Sequence, residues 1–163
     1  MTTYVDTSVL AAYYCPEQLS ILAERTLRRL PSPVISELTL VELTSAISRK
    51  IREQTLSREE GARILTQIET HVEEGYYHIM PVRPRDYRVA RAWLGRLQGT
   101  LRTLDALHLA VAESAEASML TADKRAVHAM ACWRACSIHS RQMCPMLPTS
   151  FVAPRSSYGN QPR

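Results

Sequence analysis

Four short β-prone runs, each handing over to helical sequence, constrain this chain more than anything else in it. The runs are residues 2–5, 34–35, 77–82 and 118–121. Between them, apolar residues recur at intervals of three and four. The first gap has Leu19, Leu22, Ala23, Leu27 and Leu30; the second has Leu40, Leu43, Ile47 and Ile51; the third has Tyr87, Ala90, Trp93, Leu94 and Leu97. That spacing is the signature of a helix with one buried face. Strands separated by helical crossovers must run parallel, and a parallel sheet must be covered on both sides. The expected fold is therefore α/β, a three-layer α/β/α arrangement around a central, mainly parallel sheet of four to five strands. The expected order is strand, two helices, strand, two helices, strand, two helices, strand, helix. A length of 163 residues suits one such domain.

Local signals place the helix ends. Val9, Leu10 and Ala12 follow Thr7 and Ser8 as a first helix, which Pro16 breaks. A second spans residues 17–30 and stops before Pro31 and Pro33. Ser36 is positioned to cap the third, and Ser57-Arg58-Glu59-Glu60 reads as a capping box for the fourth, which Gly75 ends. Pro84 opens the fifth, with Gly99 expected to close it, and Thr103 is expected to cap the sixth.

Composition excludes some classes of function. The hydrophobic fraction of 45% and charged fraction of 22% are ordinary for a soluble domain. No apolar run is long enough to span a membrane, and the first residues lack the basic and apolar regions of a signal peptide. A cytoplasmic protein is expected, with Cys15, Cys132, Cys136 and Cys144 as thiols. Charge is unevenly placed. Residues 1–123 carry 14 basic and 16 acidic side chains, whereas residues 124–163 carry six basic and no acidic ones. Periodicity fades after about residue 143. The reading is a folded domain over residues 1–142 and an irregular basic tail over 143–163, either solvated or facing a polyanionic partner.

Four acids stand out by position. Asp6 follows the first strand, Glu42 lies in the second turn of the third helix, Asp105 in the first turn of the sixth, and Asp123 just beyond the fourth strand. Each sits among small or apolar residues, where an unpaired charge is costly. Three of the four aspartates in the chain belong to this set; the fourth, Asp86, lies in a charged segment and is expected to be exposed. In open α/β sheets, ligands bind beyond the carboxyl ends of the strands. Acids brought together there would repel by roughly 3 kcal/mol per pair at about 5 Å and an effective dielectric near 20. Such a cluster raises a pKa or recruits a cation, and oxygen-only ligands favour a hard one, Mg²⁺ or Mn²⁺. Taken singly, Asp6 could be an N-cap, Asp105 a helix-dipole partner, Asp123 a turn residue and Glu42 a partner of Arg49 or Lys50.

Taken together the pieces resemble the PIN-domain family, and within it the VapC-type toxins of bacterial toxin–antitoxin pairs. The resemblance is carried by YVDTSVL around Asp6, ISELTLVELTSAI around Glu42, LRTLDALHLAVA around Asp105 and MLTADKR around Asp123. It implies an Mg²⁺- or Mn²⁺-dependent ribonuclease, often dimeric, held by a small cognate antitoxin. It further implies that Asp6, Glu42, Asp105 and Asp123 form the metal and catalytic site, with Thr7, Ser8 and Thr121 near the metal or substrate.

Other readings have weaker support. A catalytically degenerate PIN-like module binding RNA or protein is the main alternative. Its motive is the run AVHAMACWRACSIHSRQMC, which lacks the glycine turn that precedes the family's final strand, so that strand is expected to be missing or replaced. His108, three residues after Asp105, is read first as a hydrogen-bonded core histidine and only second as a metal ligand. A haloacid-type phosphatase would need a second aspartate where Ser8 stands.

Overall fold

The structure, a computed structural model, describes residues 2–95, 101–123 and the backbone of 135–137. The elements follow the expected order as far as the fourth strand: β1 (Thr3–Val5), α1 (Thr7–Tyr14), α2 (Ser20–Leu27), β2 (Pro33–Ser36), α3 (Glu37–Arg52), α4 (Arg58–Glu73), β3 (His78–Met80), α5 (Pro84–Leu94), α6 (Thr103–Ser114) and β4 (Ser118–Thr121), then β5 (Ala135–Ser137); the helix expected after β4 lies outside the described residues. The sheet order is β3-β2-β1-β4-β5, with every neighbouring pair parallel. The final strand expected to be missing or replaced is thus present as β5, paired to β4 from Met119↔Ala135 to Thr121↔Ser137.

Strand alternation divides the core between two faces. Val5, Ile35 and Leu120 join Val9, Leu10, Leu27, Leu43, Ile47, Ile64 and Ile68 under α1 to α4. Tyr4, Val34 and Met119 point the other way, toward Leu109, Val111 and Ala112 of α6. Ala90 of α5 packs with Ala106, Leu107 and Ala110 of α6. Every residue from Ala106 to Ala112 is buried, which accounts for the nearly uninterrupted apolar run in that helix. This gives three layers, as expected.

Several boundaries follow their local chemistry. Ser36 caps α3 through the Thr39 N–H, and Ser57 with Glu60 forms the expected capping box on α4. Gly75, at φ +74°, follows α4 in the left-handed conformation that favours glycine. Other boundaries differ from expectation. α2 covers only Ser20–Leu27, and β3 starts at His78 rather than at Tyr77. α5 ends at Leu94 with Gly95 as its C-cap; Gly99 lies outside the described residues. Thr103 is the first helical residue of α6 and not its cap, which is Arg102. Asp86 is buried at 1% exposure, not exposed. Its carboxylate accepts the Arg83 N–H at 2.7 Å and the Ser114 hydroxyl at 2.5 Å, tying the start of α5 to the end of α6. The proposed boundary at 142/143, the basic tail, Cys132, Cys144 and the side chain of Cys136 lie outside the described residues. Cys15 is a buried free thiol.

Candidate active site

The sheet order reverses its direction of growth at β1: β2 lies on one side and β4 on the other. Crevices at such switch points are where open α/β sheets bind ligands. Val5 is in register with Leu120, and the Asp6 N–H reaches the Leu120 carbonyl at 2.9 Å. Asp6 and Thr121 are therefore adjacent at the carboxyl edge of the sheet. α1 and α3 start directly from β1 and β2 at that same edge, which carries Glu42 there in the second turn of α3.

Asp6 occupies the N-cap position of α1, yet its carboxylate makes no capping bond. Its Oδ2 instead accepts the Ser8 hydroxyl at 2.5 Å and the Thr121 hydroxyl at 2.7 Å. Ser8 Oγ also takes the Ala122 N–H at 2.9 Å, and Thr121 Oγ1 takes the Asp123 N–H at 3.1 Å. Two hydroxyls thus fix Asp6 while holding the chain that leads to Asp123. The N-cap reading of Asp6 predicted the position but not the bond.

Glu42 is not paired with Arg49 or Lys50; Lys50 binds Glu17 at 2.7 Å. Glu42 Oε2 accepts the Thr7 hydroxyl at 2.6 Å and is hydrogen-bonded to His108 Nε2. Burial acts to raise its pKa, but the bond to His108, the charge of that ring and the Thr7 bond outweigh it and hold the carboxyl below its usual range. His108 is 2% exposed and belongs to the buried face of α6. Its Nε2 also lies 3.9 Å from Asp6 Oδ1, so one imidazole stands between two of the four acids.

Asp105 lies in the first turn of α6. Its carboxyl is pushed up by burial and by the charges of Asp6 and Asp123; the Arg102 backbone N–H and His108 act the other way. Mutual repulsion with two other acids is what convergence predicts. Its hydrogen bond from Arg102 shows that a helix-start role and a place in the acid cluster are compatible. Thr7, Ser8 and Thr121 all touch one of these acids. All seven residues singled out from the sequence therefore belong to one edge of the sheet.

The donor set suits a hard cation by chemistry: four carboxylates, and among the described residues no lysine or arginine ion pair to Asp6, Glu42 or Asp105. As they stand, no three His, Cys, Asp or Glu side chains among the described residues are gathered closely enough to hold an ion. The carboxylates that would hold such an ion would have to move closer together to do so. Sequence reasoning missed the support behind it. Tyr4 OH bonds to His108 Nδ1 at 2.7 Å, Ser36 Oγ at 2.7 Å and Thr39 Oγ1 at 3.1 Å. The alternation in Thr3–Val5 signals that Tyr4 is buried; nothing local signals its partners.

A parallel sheet with acids from four separate segments at its switch point defines a class, the α/β/α domains with an acidic carboxyl edge. A family model narrows it: that of the PIN domain matches residues 3–131, and the chain belongs to that family. Solved structures share its fold. VapC20 of Mycobacterium tuberculosis, described as a sarcin–ricin loop cleaving toxin, matches with a TM-score of 0.63 and 18% identity, over 78% of this chain and 94% of that one. FitAcB of Neisseria gonorrhoeae matches at 0.61 and 16%, over 78% and 91%. VapBC-1 of nontypeable Haemophilus influenzae matches at 0.60 and 16%, over 86% and 100%. A search of curated proteins gives no match. Among the described residues no helix is long and apolar enough to cross a membrane.

Proposed function

We propose that this protein is a metal-dependent endoribonuclease of the VapC type, the toxin of a toxin–antitoxin pair. The observation that carries the reading is geometric: His108 of α6 bonds to Glu42 of α3 and lies 3.9 Å from Asp6 beyond β1, one turn of helix from Asp105, so acids from separate segments share one sheet edge. Clustered like charges are costly in a folded protein unless something positive uses them. Asp6, Asp105, Asp123 and Glu42 would hold Mg²⁺ or Mn²⁺. That ion, when bound, supplies a water deprotonated at neutral pH and offsets charge on the scissile phosphate. Ser8 and Thr121 orient Asp6 by donating to its Oδ2, with Oδ1 on the side of His108. Thr7 does the same for Glu42, so the cluster does not depend on rotamer chance.

RNA as substrate and a protein antitoxin as partner are supported by the family and by what the fold's neighbours are: VapC20 is a loop-cleaving toxin, and VapBC-1 is a toxin–antitoxin assembly. A homodimer is proposed on family grounds alone. The test is incubation of purified protein with labelled RNA, with Mn²⁺ or with chelator. Asp6→Asn and Asp105→Asn should each abolish Mn²⁺-dependent cleavage while leaving the circular dichroism spectrum intact. Undiminished cleavage by both variants would refute the site.

A further inference from the structure

Behind the acids lies a chain of buried hydrogen bonds that the reaction as described does not use. It begins at the end of β2 with Ser36, fully buried, which caps α3 and bonds to the hydroxyl of Tyr4 at 2.7 Å. Thr39, also fully buried, reaches the same hydroxyl at 3.1 Å. Tyr4 in turn meets His108 Nδ1 at 2.7 Å, and the far nitrogen of that ring meets Glu42 Oε2. Five residues from β1, β2, α3 and α6 thus make one continuous path from the core to the acid edge. The path has a consistent proton assignment. Nε2–H donates to the Glu42 carboxylate, Nδ1 shares a hydrogen bond with the Tyr4 hydroxyl, and that hydroxyl shares the others with Ser36 and Thr39. No buried side-chain polar atom among the described residues is then left without a partner.

We propose that His108 is a positioning residue that sets Glu42 in place for a divalent cation, with Tyr4 fixing the ring. The inference rests on the metal-dependent reading of the site. Its geometry is specific. Both described bonds to Glu42 land on Oε2, from Thr7 and from His108, so the carboxylate plane is set and Oε1 is the oxygen presented to a water or ion. The ring is locked at the other nitrogen by a phenol held by two hydroxyls. Both ring nitrogens are used, one on the core phenol and the other on an acid of the site, so the ring joins the two. Groups that orient metal-binding carboxylates without touching the metal typically change affinity by 10- to 100-fold when removed.

The experiment measures Mn²⁺ binding by calorimetry on the full chain, together with the thermal midpoint and a ¹⁵N-histidine spectrum of the metal-free protein. The variants are His108→Leu, His108→Gln and Tyr4→Phe. His108→Leu removes the donor and should weaken Mn²⁺ binding about 10- to 100-fold. His108→Gln keeps an N–H near the position of Nε2 and should recover most of that loss. Tyr4→Phe, whose missing hydroxyl has no bond to an acid, should weaken binding in the same direction by a smaller factor and alter the His108 ring signals. A purely structural histidine would lower the thermal midpoint in both His108 variants with affinity unchanged and no rescue by glutamine. That result, with normal Mn²⁺ uptake by the unmutated protein, would overturn the positioning role and leave the nuclease reading standing. Failure of the unmutated protein to bind Mn²⁺ would overturn both.

Discussion

Replacing Asp105 by Asn should make the metal-free protein more stable. Asp105 is half-buried and is repelled by Asp6 and Asp123. One such pair at about 5 Å costs roughly 3 kcal/mol at an effective dielectric near 20. Water reaches this edge, and screening reduces the net penalty to about 1 kcal/mol. Against it stands the favourable interaction of an acid with the first turn of α6, typically about 0.3–1 kcal/mol at an exposed helix start. Asparagine keeps the acceptor for the Arg102 N–H, so part of that gain survives the change, and the repulsion decides the sign. A net gain of about 0.5 kcal/mol corresponds to a melting point higher by about 1–2 °C in a domain of this size. The pH dependence follows from the direction of the shift. The folded-state carboxyl titrates above its usual 3.8, so as pH rises the unfolded chain loses its proton first and folding becomes less favourable. The penalty is complete at neutral pH and vanishes below 3.8. The assay is scanning calorimetry of both proteins in chelator from pH 7 downward, repeated with Mn²⁺. An ion at 100 times its dissociation constant should stabilise the unmutated protein by about 2.7 kcal/mol and Asp105→Asn far less. A lower melting point for Asp105→Asn in chelator at pH 7, or equal stabilisation of both by Mn²⁺, would refute the reasoning.

Glu42→Gln should behave with opposite sign. Its folded-state carboxyl is held low, so the stability it contributes is present above the usual 4.5 and is lost as pH falls through its depressed value. The variant should melt below the unmutated protein at pH 7, and the gap should close in acid. Asp86→Ala strips the α5 start of its acceptor and leaves Ser114 without its partner, a loss of about 2–4 kcal/mol by urea titration. Mn²⁺ affinity should not change, which separates this structural acid from the other four. At Gly61 an added Cβ would lie 2.6 Å from the mobile end of Ile51 and 3.3 Å from Ile47. Gly61→Ala should therefore be near neutral, since a helix gain of about 1 kcal/mol offsets the crowding. Gly61→Leu should lose about 1–3 kcal/mol or more by overpacking the α3–α4 contact. Tyr14→Phe removes the hydroxyl that joins His71 at 2.6 Å and Tyr77 at 3.1 Å, and should cost about 1 kcal/mol with no effect on cleavage.

What the sequence revealed and what it hid divide along a physical line. Periodicity, proline and capping residues act over three or four positions, so the order of elements and the caps at Ser36 and Ser57 were legible. Asp6, Glu42, Asp105 and Asp123 were legible for a different reason: a carboxylate among small apolar residues is costly, so its position carries information. Asp86 shows where that argument fails. It lies among arginines in the sequence, a setting that suggests solvent, yet the close approach of α5 to α6 buries it and supplies Ser114 from 28 positions away. The link from Tyr4 to His108 spans 104 positions and the link from His108 to Glu42 spans 66; no local pattern can encode either.

The long-range bonds also explain how the acids can coexist at one edge of the sheet. Asp6 takes two hydroxyl donors, Glu42 takes a hydroxyl and an imidazole, and Asp105 takes a backbone N–H. Each donor offsets part of the repulsion without neutralising the edge. Lysines in those places would have satisfied the acids more fully and left little for a metal to do. Neutral hydroxyls and one shared imidazole instead leave the cluster folded and negatively charged. On the proposed reading, such an arrangement spends stability on affinity for a cation.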